Sequence, residues 1–283
     1  MTVPVISITD LYHPPEDPGG VLGLILAFGL PEIDLRAVIL DRSTAHLSGA
    51  RDPGVVAMIQ LNAIFGRHVP FARGPVAPMR EPNDSMYDAP PARQRSIELL
   101  VQALADSPEP VHLLSFGSAR PIAVAYNRAP EVFHQHVARI HLSGTADPQA
   151  VDRLVGSGLP LSTVPAATCT LPDLKWIEDL HPWLRRYVGY ALGGLERPDL
   201  LRALEEEAPA AVMADIYQRS CPAREFGVWM EVTGRIPVRR TDGSHAFVPA
   251  DRKLPGDRVA CSEQALAEAL PALYQSFRPC GLS

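Results

Sequence analysis

Residues 3–40, VPVISITDLYHPPEDPGGVLGLILAFGLPEIDLRAVIL, decide the fold class of this chain. The apolar run Val3–Ile8 predicts a buried strand, and the Pro-rich stretch after it predicts a loop. Val21–Phe28 predicts a helix that is apolar nearly all round, and Leu35–Leu40 predicts a second strand. A strand, a helix and a second strand in this order form a βαβ unit, which places two parallel strands in one sheet.

The same alternation continues to about residue 165. Further strands are predicted at Val69–Ala72, Val111–Phe116, Ile140–Leu142 and Leu161–Val164, and further helices at Pro53–Phe65, Gln94–Leu104, Ile122–Tyr126 and Val151–Leu154. Strands that alternate with helices at this spacing predict an α/β, Rossmann-like fold, with a mostly parallel central sheet and helices on both faces.

Beyond residue 170 the alternation stops. The pattern predicts helices at Asp179–Leu204, Pro209–Gln218 and Ser262–Phe277, and a hairpin over Ile236–Val248 that turns at Asp242-Gly243. We therefore expect one domain over residues 1–283, with a core at 3–165 and a divergent, mainly helical C-terminal part at 166–283 that carries a small β-hairpin.

The composition argues against several classes of protein. The chain carries 26 Lys and Arg against 32 Asp and Glu, a net charge of −6, and no basic run that could neutralise phosphates, so we expect no nucleic-acid ligand. The N-terminus lacks the pattern of a secretion signal, and the apolar stretch Val21–Leu30 is shorter than the ~20 residues of a membrane span. The four cysteines are widely spaced, as is typical of reduced thiols. These features predict a cytoplasmic protein without membrane association.

Proline is unusually frequent, with 29 residues. The fraction is about twice the usual ~5%. Because the prolines are spread through predicted loops and helix starts rather than gathered in a tail, they predict rigid loops.

Acidic residues cluster directly after the first strand, where ligands bind in doubly wound sheets. Asp10 ends the strand, and Glu16 and Asp17 precede the first helix, with His13 between them. Such carboxylates could hold a hard cation such as Ca²⁺ or act as acid and base. Alternatively, Asp17 caps the helix and Asp10 is a turn residue. Both interpretations stay open at this point.

The fourth strand runs into Phe116-Gly117-Ser118-Ala119-Arg120 and then a helix. Small residues at a helix start offer backbone N–H groups to an anion, although a tight turn needs the same residues. We predict that Gly117, Ser118 and Arg120, together with Glu16, contact the substrate. Fingerprints of dinucleotide-binding, P-loop and α/β-hydrolase proteins are absent from the sequence.

Three segments resemble the inosine–uridine-preferring nucleoside hydrolases: ITD…DPGGVLGLILAFGLPEIDLRAVILD, RHVPFARGP, and SPEPVHLLSFGSARPIAVAYNRAPEVFHQHVARIHLSGT. The resemblance covers residues 3–165 and implies the family's fold and its hydrolysis of the N-glycosidic bond of ribonucleosides. It implies a Ca²⁺ that holds the ribose diol and activates a water, which an Asp deprotonates. By position, the implied metal ligands are Asp10, Asp17 and Phe116. We predict Asp10 and Asp17 as catalytic residues, together with His13, which lies beside these acids in the sequence. A homodimer or homotetramer is also implied.

The chain departs from the family's pattern in the metal loop. The two acids that end the loop fall on Val21-Leu22, and the opening Asp falls on Pro15, or on Asp10 if the loop carries an insertion. The loss of both acids argues against a conventional Ca²⁺ site, because affinity for a hard cation depends on the charge of its ligands. Two hypotheses therefore stay open. One is an N-glycosyl hydrolase with a metal-poor site that uses Asp10 or Asp17 as base, and the other is an inactive or repurposed member that acts as a binding or regulatory subunit.

Overall fold

A computed structural model describes residues 2–11, 18–41, 53–143, 146–163, 170–195, 204–222, 224–259 and 263–280. The strands are β1 Val3–Thr9, β2 Ile33–Leu40, β3 Phe71–Arg73, β4 Val111–Ser115, β5 Val137–Leu142, β6 Leu161–Thr163, β7 Thr170–Leu171, β8 Cys221–Pro222, β9 Arg235–Arg239, β10 His245–Pro249 and β11 Arg258–Val259. The α-helices are α1 Gly19–Gly29, α2 Pro53–Phe65, α3 Pro91–Ala105, α4 Arg120–Arg128, α5 Pro130–His136, α6 Pro148–Val155, α7 Pro182–Gly193, α8 Ala210–Tyr217, α9 Arg224–Thr233 and α10 Glu263–Gln275.

The chain divides into two compact units, each built from separate segments. The first unit comprises Met1–Tyr12, Pro31–Val55 and His68–Val164, and the second comprises His13–Leu30, Val56–Arg67 and Pro165–Ser283. The expectation of one domain over residues 1–283 stays a prediction.

The first unit contains a six-stranded parallel sheet in the order β3-β2-β1-β4-β5-β6. This order confirms the predicted α/β, Rossmann-like class. The chain moves outward from β1 to β3 and then returns to place β4 on the other side of β1. The carboxyl ends of β1 and β4 therefore flank the topological switch point, which is where doubly wound sheets bind ligands.

Alternating side chains on each strand build the core of this unit. Ile6, Leu113 and Ile140 lie on one face and pack in a single cluster with apolar residues of α3, α4, α5 and α6. Their neighbours on the opposite face, such as Val5 and Leu114, are buried as well. Burial on both faces is typical of parallel sheets and explains why the strands read as continuous apolar runs.

A chain of polar side chains crosses the strands β4, β5 and β6. Nδ1 of His112 lies 3.1 Å from Nε2 of His141, and Nδ1 of His141 lies 3.1 Å from the hydroxyl of Ser162. Burial lowers the pKa of His141 to about 4, and the positive charges of His112 and Arg139 contribute to the same shift. His141 is therefore neutral near pH 7.

In the second unit, α1 is buried almost completely, as its uniformly apolar sequence predicts. It packs against α7 and α9, and the hydroxyl of Tyr274 on α10 donates a hydrogen bond to the carbonyl of Leu22 (2.8 Å). Helices from three parts of the sequence therefore enclose one apolar helix. Within the described ranges, no helix is long and apolar enough to cross a bilayer.

The predicted helix Asp179–Leu204 is wrong in its bounds. Asp179 ends a 3-10 helix, α7 begins at Pro182, and it ends at Gly193 because Gly194 adopts the left-handed conformation (φ 66°) that stops helices. The helix α9 was not predicted. The proline positions agree with the expectation of rigid boundaries, because α3 to α7 each carry a proline in their first turn.

The predicted hairpin is confirmed, and a third strand joins it. The strands β10 and β11 both pair with β9 in antiparallel fashion, in the order β10-β9-β11. The hairpin turns at Asp242-Gly243, where Gly243 has a φ of 87° and Asp242 accepts a hydrogen bond from the N–H of Ser244 (2.9 Å). The strand β11 is two residues long, too short for a periodic pattern to reveal.

Candidate functional site

The carboxyl edge of the parallel sheet brings together the residues that follow its central strands. The N–H of Asp41 donates to the carbonyl of Thr9 (2.9 Å), and the N–H of Phe116 donates to the carbonyl of Ile8 (2.8 Å). Asp10 directly follows Thr9 and is partly buried. It therefore lies between the residues that follow β2 and β4, at the switch point of the sheet.

Asp41 is a buried carboxylate that sets the turn between β4 and α4. Its Oδ2 accepts a hydrogen bond from the N–H of Ser118 (2.7 Å). A Cβ on Gly117 would come within 2.9 Å of the same oxygen, closer than real Cβ contacts allow, so the close approach requires glycine. The Gly117-Ser118 turn, predicted to bind an anion, thus presents one N–H group to a carboxylate of the chain itself.

Arg120 begins α4 and is buried against other parts of the first unit. Its Nε donates to Oδ2 of Asp147 (2.8 Å), and its Nη1 donates to the carbonyls of Pro75 (2.8 Å) and Val76 (3.0 Å). Oδ1 of Asp41 lies 3.8 Å from Nη1. Arg120 therefore ties the segment after β3 to the starts of α4 and α6.

Asp147 completes this network from the start of α6. Its Oδ1 caps the helix by accepting from the N–H of Ala150 (3.4 Å), and its Oδ2 accepts from the N–H of Met79 (3.0 Å). Asp41, Arg120 and Asp147 form what we call the Arg120 cluster, and all three are buried. Buried charges are costly unless paired, and this cluster pairs them across four segments of the chain.

The sequence-predicted site residues divide into two groups. Those that lie at this edge or in the turn beside it are Asp10, Phe116, Gly117, Ser118 and Arg120. Those that lie outside the described residues are His13, Glu16 and Asp17. Ser118 and Arg120 are buried with protein partners, and their contact with a substrate stays a prediction.

Sequence reasoning missed Asp41 and Asp147. The signal for Asp41 is the one that selected Asp10, since both directly follow a buried strand of the parallel sheet. Asp147 precedes Pro148, and an Asp-Pro pair before an amphipathic segment marks a helix start. That signal predicts a helix cap, but it does not predict that the other carboxylate oxygen of Asp147, Oδ2, contacts Arg120.

The described donor set does not fit a Ca²⁺ site of the family's kind. Asp10 lies at the edge, and the carbonyl of Phe116 accepts a hydrogen bond from the hydroxyl of Ser143 (3.4 Å). Val21 and Leu22, which the sequence resemblance aligns with the loop's final acids, are buried apolar residues of α1 and offer no side-chain oxygen. In the part of the chain that the structure describes, no group of three or more His, Cys, Asp or Glu could hold a metal ion.

The fold and this edge together define a doubly wound α/β protein with an acidic candidate ligand site at the switch point of its sheet. No family model matches the chain. In sequence, it is 25% identical over 194 residues to a pyrimidine-specific ribonucleoside hydrolase, RihA, of Citrobacter koseri, over 57% of this chain and 59% of the relative. The chain thus spans about three-fifths of the length of the curated relatives it matches.

Comparison with solved structures shows that the chain shares the fold of ribonucleoside hydrolases. A purine-preferring ribonucleoside hydrolase from Gardnerella vaginalis superposes with a TM-score of 0.58 at 14% identity, over 96% of this chain and 99% of the other. The type III effector protein XopQ, solved with adenosine diphosphate ribose, superposes with a TM-score of 0.60 at 13% identity, over 98% and 94%. The predicted resemblance is confirmed: the chain is similar in sequence to ribonucleoside hydrolases and shares the fold of solved nucleoside hydrolase structures.

Proposed function

We propose that this protein hydrolyses the N-glycosidic bond of a ribonucleoside or a related ribosyl compound at the carboxyl edge of its parallel sheet. The observation that carries the proposal is the place of Asp10 at the switch point, between Asp41 and the turn after β4. Asp10 acts as general base and takes a proton from water as the water oxygen bonds to the anomeric carbon. The bond between the anomeric carbon and the nitrogen breaks, and its electron pair leaves with the nucleobase.

The charges at this edge suit that reaction. Cleavage of a glycosidic bond passes through a transition state with the character of an oxocarbenium ion, which is positively charged. Asp41 and Asp147 lie 3.8 Å and 2.8 Å from the guanidinium of Arg120, and Asp10 follows the strand next to both β2 and β4. Carboxylates that are partly shielded from water stabilise a positive charge that develops nearby.

A second candidate is a protein that binds a nucleoside-like ligand without cleaving it. Val21 and Leu22 favour it, because apolar side chains replace the two acids of the family's loop. Such a protein keeps the fold and the edge described above and acts as a binding or regulatory subunit.

The proposal includes the quaternary structure and location predicted from sequence. We propose a homodimer or homotetramer in the cytoplasm, and light scattering on the purified protein together with cell fractionation tests both.

The decisive experiment measures release of free base from inosine, uridine, cytidine and adenosine by the purified full chain, with added Ca²⁺ or with chelator. The variant D10N keeps the size of Asp10 but cannot take up the proton. The control variant D152N makes the same change at an exposed position on α6. We expect D10N to lower kcat by at least about 100-fold and D152N to leave it unchanged.

Two results decide between the candidates. Absence of turnover on every nucleoside, with and without Ca²⁺, refutes hydrolysis of these substrates. Calorimetric binding of a nucleoside without turnover then supports the second candidate. Turnover that survives in D10N refutes the role of Asp10 while leaving the hydrolytic activity in place.

A further inference from the structure

The three-stranded sheet of the second unit carries an unusual concentration of positive charge. Residues 235–259 hold six Lys and Arg against three Asp, a net charge of +3, in a chain whose overall net charge is −6. Successive basic residues are separated by up to twelve positions in the sequence, so no long basic run is visible there. The antiparallel pairing of β9, β10 and β11 brings them together.

Two of these cations face each other directly. Arg239 on β9 and Arg258 on β11 are cross-strand partners, and His245 on β10 is the partner of Arg239 on its other side. Directly opposed residues have Cβ atoms about 5 Å apart, and like charges in such pairs destabilise a sheet. The row His245–Arg239–Arg258 therefore costs the fold stability.

Little in the described part of the chain offsets that cost. The side chains of Arg239 and Arg258 are exposed, and so are those of Arg252 and Lys253. None of the four makes a side-chain hydrogen bond or ion pair with the described residues. An Oε atom of Glu268 lies 2.6 Å from Nδ1 of His245, at the β10 end of this row.

Apolar side chains border the same end of the sheet. Leu254 is 57% exposed and Val259 is 50% exposed, and both are among the most exposed large apolar residues of the described chain. The turn Leu254–Asp257 lies beside Thr241, two positions after Arg239. Val259 pairs with Val238, so its side chain lies on the face of the sheet opposite to Arg239 and Arg258. We call this surface, formed by Arg239, Arg258 and the adjacent Leu254, the Arg239 patch.

We propose that the Arg239 patch binds an acidic polypeptide segment that carries apolar side chains. Guanidinium groups bind carboxylates through paired hydrogen bonds, which supplies the charge complementarity. The exposed Leu254 gives an apolar partner a contact that a phosphodiester backbone or a free anion cannot use. The described patch also has no exposed aromatic ring on which a nucleic-acid base could stack.

The test uses the full chain and a fluorescein-labelled peptide in which Glu alternates with Leu, followed by fluorescence anisotropy at low salt. The variant R239S/R258S removes two charges from the patch. The control variant R95S/K175S removes two charges from exposed residues elsewhere, on α3 and on the 3-10 helix Lys175–Asp179. Because all four side chains are exposed, we expect both variants to fold, and circular dichroism verifies it.

We expect binding in the range of tens of micromolar, a loss of about tenfold in R239S/R258S, and less than about twofold change in the control. A peptide with Ser in place of Leu should bind about threefold more weakly or worse. Failure to bind below about 1 mM, or equal losses in both variants, overturns the proposal. Equal binding of the Ser peptide, or tighter binding of oligothymidylate, overturns it in favour of a general anion surface.

Discussion

Replacement of Arg120 by Met is expected to destabilise the first unit strongly. The substitution keeps an unbranched side chain in place but removes the only guanidinium of the Arg120 cluster. Oδ2 of Asp147 loses a partner at 2.8 Å, and the carbonyls of Pro75 and Val76 lose theirs. Removing one partner from a buried ion pair costs about 3–5 kcal/mol. The exposed control R95M should change the free energy of unfolding by less than about 0.5 kcal/mol.

Urea denaturation followed by circular dichroism measures this effect, and a thermal melt should show a midpoint lowered by about 10 °C. The double variant R120M/D147N, which replaces one orphaned carboxylate with an amide, should recover about 1–2 kcal/mol. An R120M protein within about 1 kcal/mol of wild type would refute the assignment of Arg120 as the buried counter-ion of this edge.

Two further predictions concern stability. The pKa of His141 in the folded protein is about 4, which is below the value of about 6.5 for an exposed histidine. The burial of neutral His141 therefore contributes stability that is complete above about pH 6.5 and is lost as the pH falls toward 4. As the pH falls from 6.5 to 4, the urea midpoint of H141L should therefore decrease less steeply than that of wild type. An identical dependence of the midpoint on pH in both proteins would contradict the reasoning. G117A should cost about 1–3 kcal/mol, because its Cβ meets Asp41 at 2.9 Å, whereas G227A on α9, with open space around it, should be neutral or stabilising. Comparable losses in both glycine variants would show that the approach of Asp41 does not constrain the turn.

The fold could be predicted because its signals are local. Val3–Ile8 and Leu35–Leu40 are apolar runs of strand length, and each corresponds to a parallel strand in the structure. Pro53–Phe65 was predicted with the bounds that the structure shows. Where a signal was short or interrupted the prediction failed, as at the two-residue strand β11 and at the helix boundary set by Gly194.

The candidate site could be predicted only in part, because it depends on contacts between distant segments. Asp10 and the Gly117-Ser118 turn could be found from their place after a strand. That Asp41 fills the turn, 77 positions away from Ser118 in the sequence, follows only from the order of the strands. The ion pair of Arg120 with Asp147 likewise joins the starts of two helices that no sequence pattern connects.

The enclosure of α1 has a consequence for how the protein is made. The α10 residue that bonds to this helix, Tyr274, is translated 252 positions after Leu22. Until α10 has been translated, a wholly apolar helix lacks one of the partners that cover it, and exposed apolar surfaces promote aggregation. A product that stops after Val164 would keep α1 but lack α7, α9 and α10, which contact it. We therefore expect such a product to aggregate more readily than the full chain.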